Sequence, residues 1–302
     1  MAVGAIGLGL TSLSLVIWLG LICFRGQFWR SDQRLSDVGV ELPLEKYPSV
    51  CAIIPARNEA EMIPVTLRSL LQQSYPGPFT VVLVDDRSTD GTAYRAQGVA
   101  EALEKRSSLH VICAEPLPPG WTGKLWAMEQ GIQYAQGQPR DTQGQPRGDC
   151  PYIPIPDYFL FTDADIEHDP NNLRCLVAKA QQEDLDLVSL MVLLRCQSFW
   201  EKLLIPSFVF FFQKLYPFRW VNNPKKSTAA AAGGCILIRR DALTRIGGIE
   251  AIRHALIDDC TLGQAVKSSR SPQPPLPRGA KEEEAGRFVQ PPFFGRSPQP
   301  PF

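Results

Sequence analysis

Val81-Val82-Leu83-Val84-Asp85-Asp86, running on into Arg87-Ser88-Thr89-Asp90-Gly91-Thr92, is an apolar run of strand length that ends in two carboxylates and a polar turn. Further along, Tyr158-Phe159-Leu160-Phe161-Thr162-Asp163-Ala164-Asp165 repeats the design. A parallel α/β sheet collects its ligand contacts at the carboxyl ends of its strands, so acidic side chains there sit at the mouth of a site rather than in the core. A lone Asp-x-Asp triplet is common in solvated turns. Two acidic strand ends in one chain are more specific, and paired carboxylates in that place suit a metal or a polar ligand.

The flanking sequence fits the same plan. Residues 50–54 form another short apolar run, stopped by Pro55, and Ile63, Leu67, Leu70 and Leu71 then recur on one helical face. Residues 80–84 make the second strand. Ser88, Thr89 and Asp90 are the expected caps of a helix that buries Ala96, Val99, Ala100 and Leu103. A strand at 109–113, a helix over 125–134 and the strand before Asp163 complete an alternating series. Such alternation predicts an α/β fold with a mostly parallel sheet flanked by helices.

The 302 residues carry no net charge, and 44% of them are apolar, enough to bury a large core. Without a basic excess, no nucleic-acid partner is expected. The eight cysteines show no Cys-x-x-Cys spacing and are read as reduced thiols in a cytosolic compartment. Residues 3–24 hold no charge and are long enough to span a bilayer as a helix. The basic start of a cleaved signal peptide is missing, so this segment is read as a single-pass anchor in the cell inner or cytoplasmic membrane. Arg25, Arg30 and Arg34 follow it and place the rest of the chain on the cytoplasmic side. Residues 136–156 turn to Gly, Gln and Pro, with Gln-Gly-Gln-Pro-Arg at 136 and again at 143, and read as an inserted surface loop. The apolar stretch 203–218, interrupted by Pro206, is expected to lie at the membrane interface, with a core helix as the alternative. From 268 onward Arg-Ser-Pro-Gln-Pro-Pro occurs twice in a Pro-rich and Glu-rich tail, whose composition cannot offset its ordering entropy. The expected division is therefore an anchor at 1–25, a catalytic domain at 48–267 and a disordered tail at 268–302.

Ile54-Pro55-Ala56-Arg57-Asn58-Glu59, the Asp85 to Thr92 loop, Gly120-Trp121-Thr122-Gly123-Lys124 and Asp163-Ala164-Asp165 stand in the order seen in family 2 glycosyltransferases. Ala232-Gly233-Gly234-Cys235, Gly247-Gly248 and Asp258-Asp259-Cys260-Thr261-Leu262-Gly263 continue it. The chain most resembles the hopene-associated membrane branch of that family. The resemblance implies the nucleotide-sugar-binding fold called GT-A and an inverting transfer from a UDP-sugar to a lipid acceptor, hopanoid or polyisoprenoid. It implies that Asp165, with Asp163, holds Mg²⁺ or Mn²⁺, a hard cation suited to carboxylate and phosphate oxygens. It further implies that Pro55, Arg57, Glu59, Asp86 and Asp163 line the nucleotide site and that Lys124 reaches the diphosphate. Asp259 maps onto the base that takes the acceptor's proton. Asp258 stands where the family has Glu, a shorter side chain for hydrogen bonding on the acceptor side.

Ordinary readings stand beside these: Ser88 and Asp90 as caps, Lys124 as a solvated charge at a helix start, Asp258 and Asp259 as helix-start residues. The Arg-x-x-Arg-Trp motif of processive members is not found after Asp259, because Arg219-Trp220 precedes it, so a non-processive enzyme is expected. Two other functions compete, a nucleotidyltransferase and a non-catalytic membrane protein that binds sugar nucleotides.

Overall fold

The computed structural model describes residues 2–35, 46–137 and 154–270. Most of the expected inserted loop and nearly all of the expected tail lie outside the described residues. Val50, Ala52, Ile54 and their neighbours Cys51 and Ile53 are all buried, so the first strand, β1 (Val50–Ala56), is covered on both faces. It pairs in parallel with β2 (Phe79–Asp85) on one side and β4 (Tyr158–Thr162) on the other, and β2 pairs in parallel with β3 (Leu109–Cys113). The sheet has six strands in the order β3-β2-β1-β4-β6-β5, in which β6 (Cys235–Arg239) runs antiparallel to both β4 and β5 (Leu187–Ser189). Neither β5 nor β6 follows from the alternating pattern of the sequence.

The alternation of side chains along the strands feeds two cores. One face packs against α2 (Ile63–Leu71), α3 (Thr92–Ala102) and α5 (Asn172–Gln182). The other packs against α4 (Gly123–Ala135), α8 (Arg240–Arg245) and α9 (Asp258–Ser269). Gly131 lets α4 lie close to the sheet, since a Cβ there would meet Ile53 Cγ2 at 2.6 Å. The register aligns Ala56 with Asp85 and Asp85 with Cys113, so the carboxyl ends of three strands open on one edge.

Neither of the two prolines that interrupt apolar runs ends its element. Pro55 does not stop β1; it continues the pairing with β2 opposite Val84. The N–H that proline lacks would face β4, where pairing has already ended at Ile53, so the ladder loses nothing. Pro206 likewise lies inside α6 (Phe199–Leu215), which carries a capping box between Ser198 and Glu201 and runs through the proline. No residue of α6 is fully buried, so the core-helix alternative fails.

The N-terminal helix α1 (Ala2–Phe24) is the one described helix long and apolar enough to cross a membrane, and residues 4–24 are not buried against the protein. Its C-terminal end is tied to α6 and to the short α7 (Phe218–Val221). Arg25 Nε donates to Lys214 O at 2.6 Å, the buried Phe28 meets Phe210 at 5.2 Å between ring centroids, and Arg219 pairs with Asp32.

Candidate active site

The loops after β1 and β2 are joined by backbone N–H groups of each that donate to polar side chains of the other. Asn58 N donates to Ser88 Oγ, Thr89 N to Asn58 Oδ1, Glu59 N to Thr92 Oγ1 and Ala60 N to Asp90 Oδ2, each at 2.9 Å. Ser88 and Thr89 thus make their bonds between loops, whereas Asp90 divides its own, with Oδ2 crossing to Ala60 and Oδ1 accepting Thr92 N and Thr92 Oγ1 at the start of α3, while the cap position itself falls to Gly91 at φ +89°. Asp85 is buried and accepts Ser88 N, so the first acidic pair divides into a turn-forming Asp85 and an accessible Asp86. Arg57 Nη1 lies 3.2 Å from Asp86 Oδ2.

Lys124 enters from the start of α4, whose cap Thr122 accepts Leu125 N. It is not a free solvated charge: its Nζ donates to Asp163 Oδ1 at 2.6 Å. Burial works against this ammonium, but Asp163, Asp258 and Asp259 around it hold its pKa above the ordinary lysine value. Glu59 is raised by burial first and then by Asp165, Asp90 and Asp163. Asp165 sits at the open mouth; the protein crowding its inner side raises its carboxyl, and Asp163 adds to that. Glu59, Asp163 and Asp165, with one ammonium bound to Asp163, form a site with surplus negative charge. An all-oxygen donor set of this kind suits Mg²⁺ or Mn²⁺. Among the described residues no group of three or more His, Cys, Asp and Glu forms a ready-made cage, so oxygens of a ligand or water must complete any coordination shell.

Asp258 and Asp259 open α9. Asp259 Oδ1 accepts Cys260 N at 2.7 Å, the bond of a helix start, but Oδ2 reaches across to Gly233 N at 2.9 Å. Burial raises the Asp259 carboxyl and Asp258 adds to the effect, while the two N–H bonds oppose it. A Cβ on Gly233 would lie 3.3 Å from Asp259 Oδ2 and 3.6 Å from Lys124 Nζ. The two charged groups therefore flank one glycine. Pro55, Lys124, Asp163, Gly233, Asp258 and Asp259 line a single pocket. Sequence reasoning sets Asp259 apart from the strand-end carboxylates; the tertiary structure joins them. It also explains Gly263, where a Cβ would stand 2.9 Å from the Ala230 carbonyl carbon, so that α9 packs directly on the segment leading to Gly233.

Sequence reasoning missed Thr66, Thr162, His168 and Asn172, all buried behind the Asp163–Asp165 turn. Their only signal in the chain is polar character inside otherwise apolar surroundings.

A model of glycosyl transferase family 2 matches residues 51–247, which includes every strand-end candidate and Gly233 and ends before Asp258. A 4,4'-diaponeurosporenoate glycosyltransferase of Staphylococcus haemolyticus is 29% identical over 123 residues, 41% of this chain and 26% of that protein. Among solved structures, mannosyltransferase PcManGT from Pyrobaculum calidifontis, in complex with GDP-Man and Mn²⁺, matches with a TM-score of 0.54 at 18% identity, over 93% of this chain and 65% of that one. TarS of S. aureus matches with a TM-score of 0.50 at 16% identity, over 82% and 36%. The chain thus spans about a quarter of the curated relative and less than two thirds of either solved structure. The two structural likenesses show the fold.

Proposed function

The chain belongs to glycosyl transferase family 2, and we propose that it moves a single sugar, with inversion, from a UDP-sugar to a lipid acceptor at the cytoplasmic face of a membrane. The observation that carries this reading is the meeting of Lys124, Asp163 and Asp259 around Gly233 in one pocket. In it, Asp259 removes the proton from the acceptor hydroxyl as its oxygen attacks the anomeric carbon, and the bond from that carbon to the diphosphate oxygen breaks. Lys124 stands where it can meet negative charge gathering on the leaving diphosphate. A divalent cation held by Asp165 and Asp163, when bound, would supply the remaining countercharge; the carboxyls of Glu59 and Asp165, each raised by burial and by neighbouring carboxylates, support its presence. Asp86, Arg57, Glu59 and Pro55 hold the nucleoside, and Asp258 orients the acceptor.

The membrane part of the proposal rests on α1, on Arg25, Arg30 and Arg34 after it, and on the exposed Phe199, Trp200, Phe208 and Phe211 of α6. The resemblance to the hopene-associated branch supports a hopanoid or polyisoprenoid acceptor. The division into an anchor at 1–25, a catalytic unit at 48–267 and a tail at 268–302 belongs to the same proposal.

Donor hydrolysis and transfer by the detergent-solubilised protein, screened with UDP-glucose, UDP-N-acetylglucosamine and GDP-mannose, tests it; the last donor is included because PcManGT was solved with GDP-Man. Turnover of a UDP-sugar onto lipid is expected. Binding of UDP without turnover would establish a non-catalytic binder, and pyrophosphate release from a nucleoside triphosphate with a sugar phosphate would establish a nucleotidyltransferase.

A further inference from the structure

The Asp163–Asp165 turn and the Gly233-Gly234 turn leave paired strands, β4 and β6, whose ladder ends with Thr162 opposite Cys235, and one buried hydroxyl adds a side-chain tie between them beyond that last pair. Thr162 Oγ1 donates to Gly234 O at 2.9 Å and lies 2.9 Å from His168 Nε2. Asn172 Nδ2 lies 3.0 Å from His168 Nδ1; with the amide so oriented, an orientation that leaves the buried Asn172 Oδ1 without a hydrogen-bond partner, the ring is assigned its proton on Nε2, donating to Thr162. This arrangement uses the threonine hydroxyl fully, as donor and as acceptor. His168 N in turn donates to Ser69 Oγ at 3.0 Å, which fixes the ring's backbone to α2. Thr162, His168 and Asn172 are all nine-tenths or more buried, so no water competes for these bonds.

Each end of this connection leads to the site. Thr162 is bonded through the chain to Asp163, the partner of Lys124. Gly234 follows Gly233, whose N–H holds Asp259 Oδ2. Thr66 adds a tie of a different kind, since its Oγ1 donates to Ala164 O at 2.7 Å and so braces the strand-end turn alone.

We propose that Thr162 and His168 are positioning residues, a buried peg that sets the distance between the donor-side carboxylates and Asp259. Thr162 backs the pocket with almost no exposed surface, and His168 is buried behind it, so their role is to hold other groups. The proposal rests on the reading of Asp259 as the base, and it deepens that reading by naming what fixes the base relative to the donor. Because a misplacement on the order of 1 Å can lower a rate about a hundredfold, loss of the peg should act on the transfer step rather than on donor binding.

The test compares Thr162→Val, which keeps shape and loses both hydrogen bonds, with Thr162→Ser, which keeps the hydroxyl. Three quantities are read in the full chain: UDP affinity with Mn²⁺ by calorimetry, kcat and KM for transfer, and amide hydrogen exchange over residues 229–236. Thr162→Val should hold UDP affinity within about threefold, lose roughly tenfold to a hundredfold in kcat with little change in donor KM, and exchange faster at 229–236. Thr162→Ser should restore kcat to within about threefold and restore slow exchange. Thr66→Val should show the opposite split, weakening metal-dependent UDP binding. The peg is overturned if Thr162→Val transfers at the wild-type rate, if Thr162→Ser is as slow as Thr162→Val, or if affinity and kcat fall together. Should Thr162→Val not fold, His168→Gln, which can still donate to Thr162, must transfer faster than His168→Met; equal rates overturn the peg. A wild-type chain that turns over no donor sinks the functional reading instead, and the exchange comparison still decides the peg.

Discussion

The carboxylates of Glu59 and Asp165 after the strand ends and that of Asp259 at the start of α9 are the same chemical group, yet their surroundings differ. Glu59, Asp165 and Asp259 are all raised by burial. What comes next separates them. Glu59 and Asp165 are raised further by other carboxylates, a repulsion that a bound cation would offset. Asp259 has only Asp258 beside it as a like charge, and the N–H groups of Gly233 and Cys260 already stabilise its ionised form. One set is short of positive charge; the other is a single poised carboxylate able to take a proton. On the proposed function, charge balance, more than residue type, separates the metal and phosphate groups from the base.

The comparison breaks most sharply at Asp259. Asp259→Asn keeps the shape and cannot accept a proton, so transfer should fall by roughly 10² to 10⁴ while UDP affinity stays within a few-fold. Equal transfer rates in a folded variant would remove Asp259 from the mechanism. Next in size is Asp165→Ala, for which calorimetry should show Mn²⁺-dependent UDP affinity lost by at least about tenfold. Unchanged metal-dependent affinity would show that the surplus negative charge is not a cation site.

A smaller effect sharpens the contrast through pH. As the base, Asp259 must be ionised, and its pKa lies above the ordinary carboxylate value, so transfer should decline on acidification at a higher pH than for an ordinary aspartate. Asp258→Asn removes the neighbouring charge that helps raise it, and should move this acidic limb to lower pH with only a few-fold loss of rate. A limb that stays in place would mean the two aspartates do not interact.

Lys267 tests how the base helix is held. Its ammonium donates to Trp220 O, Val221 O and Thr228 O, although burial pulls its pKa down to about 8. Lys267→Met leaves these carbonyls without that donor and should cost roughly 1–3 kcal/mol of stability, measured by chemical denaturation. The smallest expected effect is removal of residues 271–302. The expected boundary at 267 falls inside α9, which runs through Ser269, and Arg270 bonds to Asp184, so the cut belongs after Arg270. UDP affinity should then stay within about twofold.

The sequence by itself determined the half of the molecule built from neighbouring pieces. Strands at 50–54, 80–84 and 109–113, the buried faces Ile63-Leu67-Leu70-Leu71 and Ala96-Val99-Ala100, and the helix near 125–134 were legible because each strand-loop-helix unit carries its own periodicity and turn signals. The carboxylates Asp86, Asp163 and Asp165 were legible for the same reason, as polar ends of apolar runs. Only the tertiary structure decided the rest. β6 is antiparallel and joins β4 from far along the chain, α6 runs through its proline, and Asp259 meets Gly233 beside Lys124, all distant in sequence. These contacts are long-range, and the side chains that make them, such as Thr162 and His168, differ from solvated polar residues only in being buried. A linear pattern records which groups a chain holds. Which of them share one pocket is set when the sheet closes and excludes water from between them.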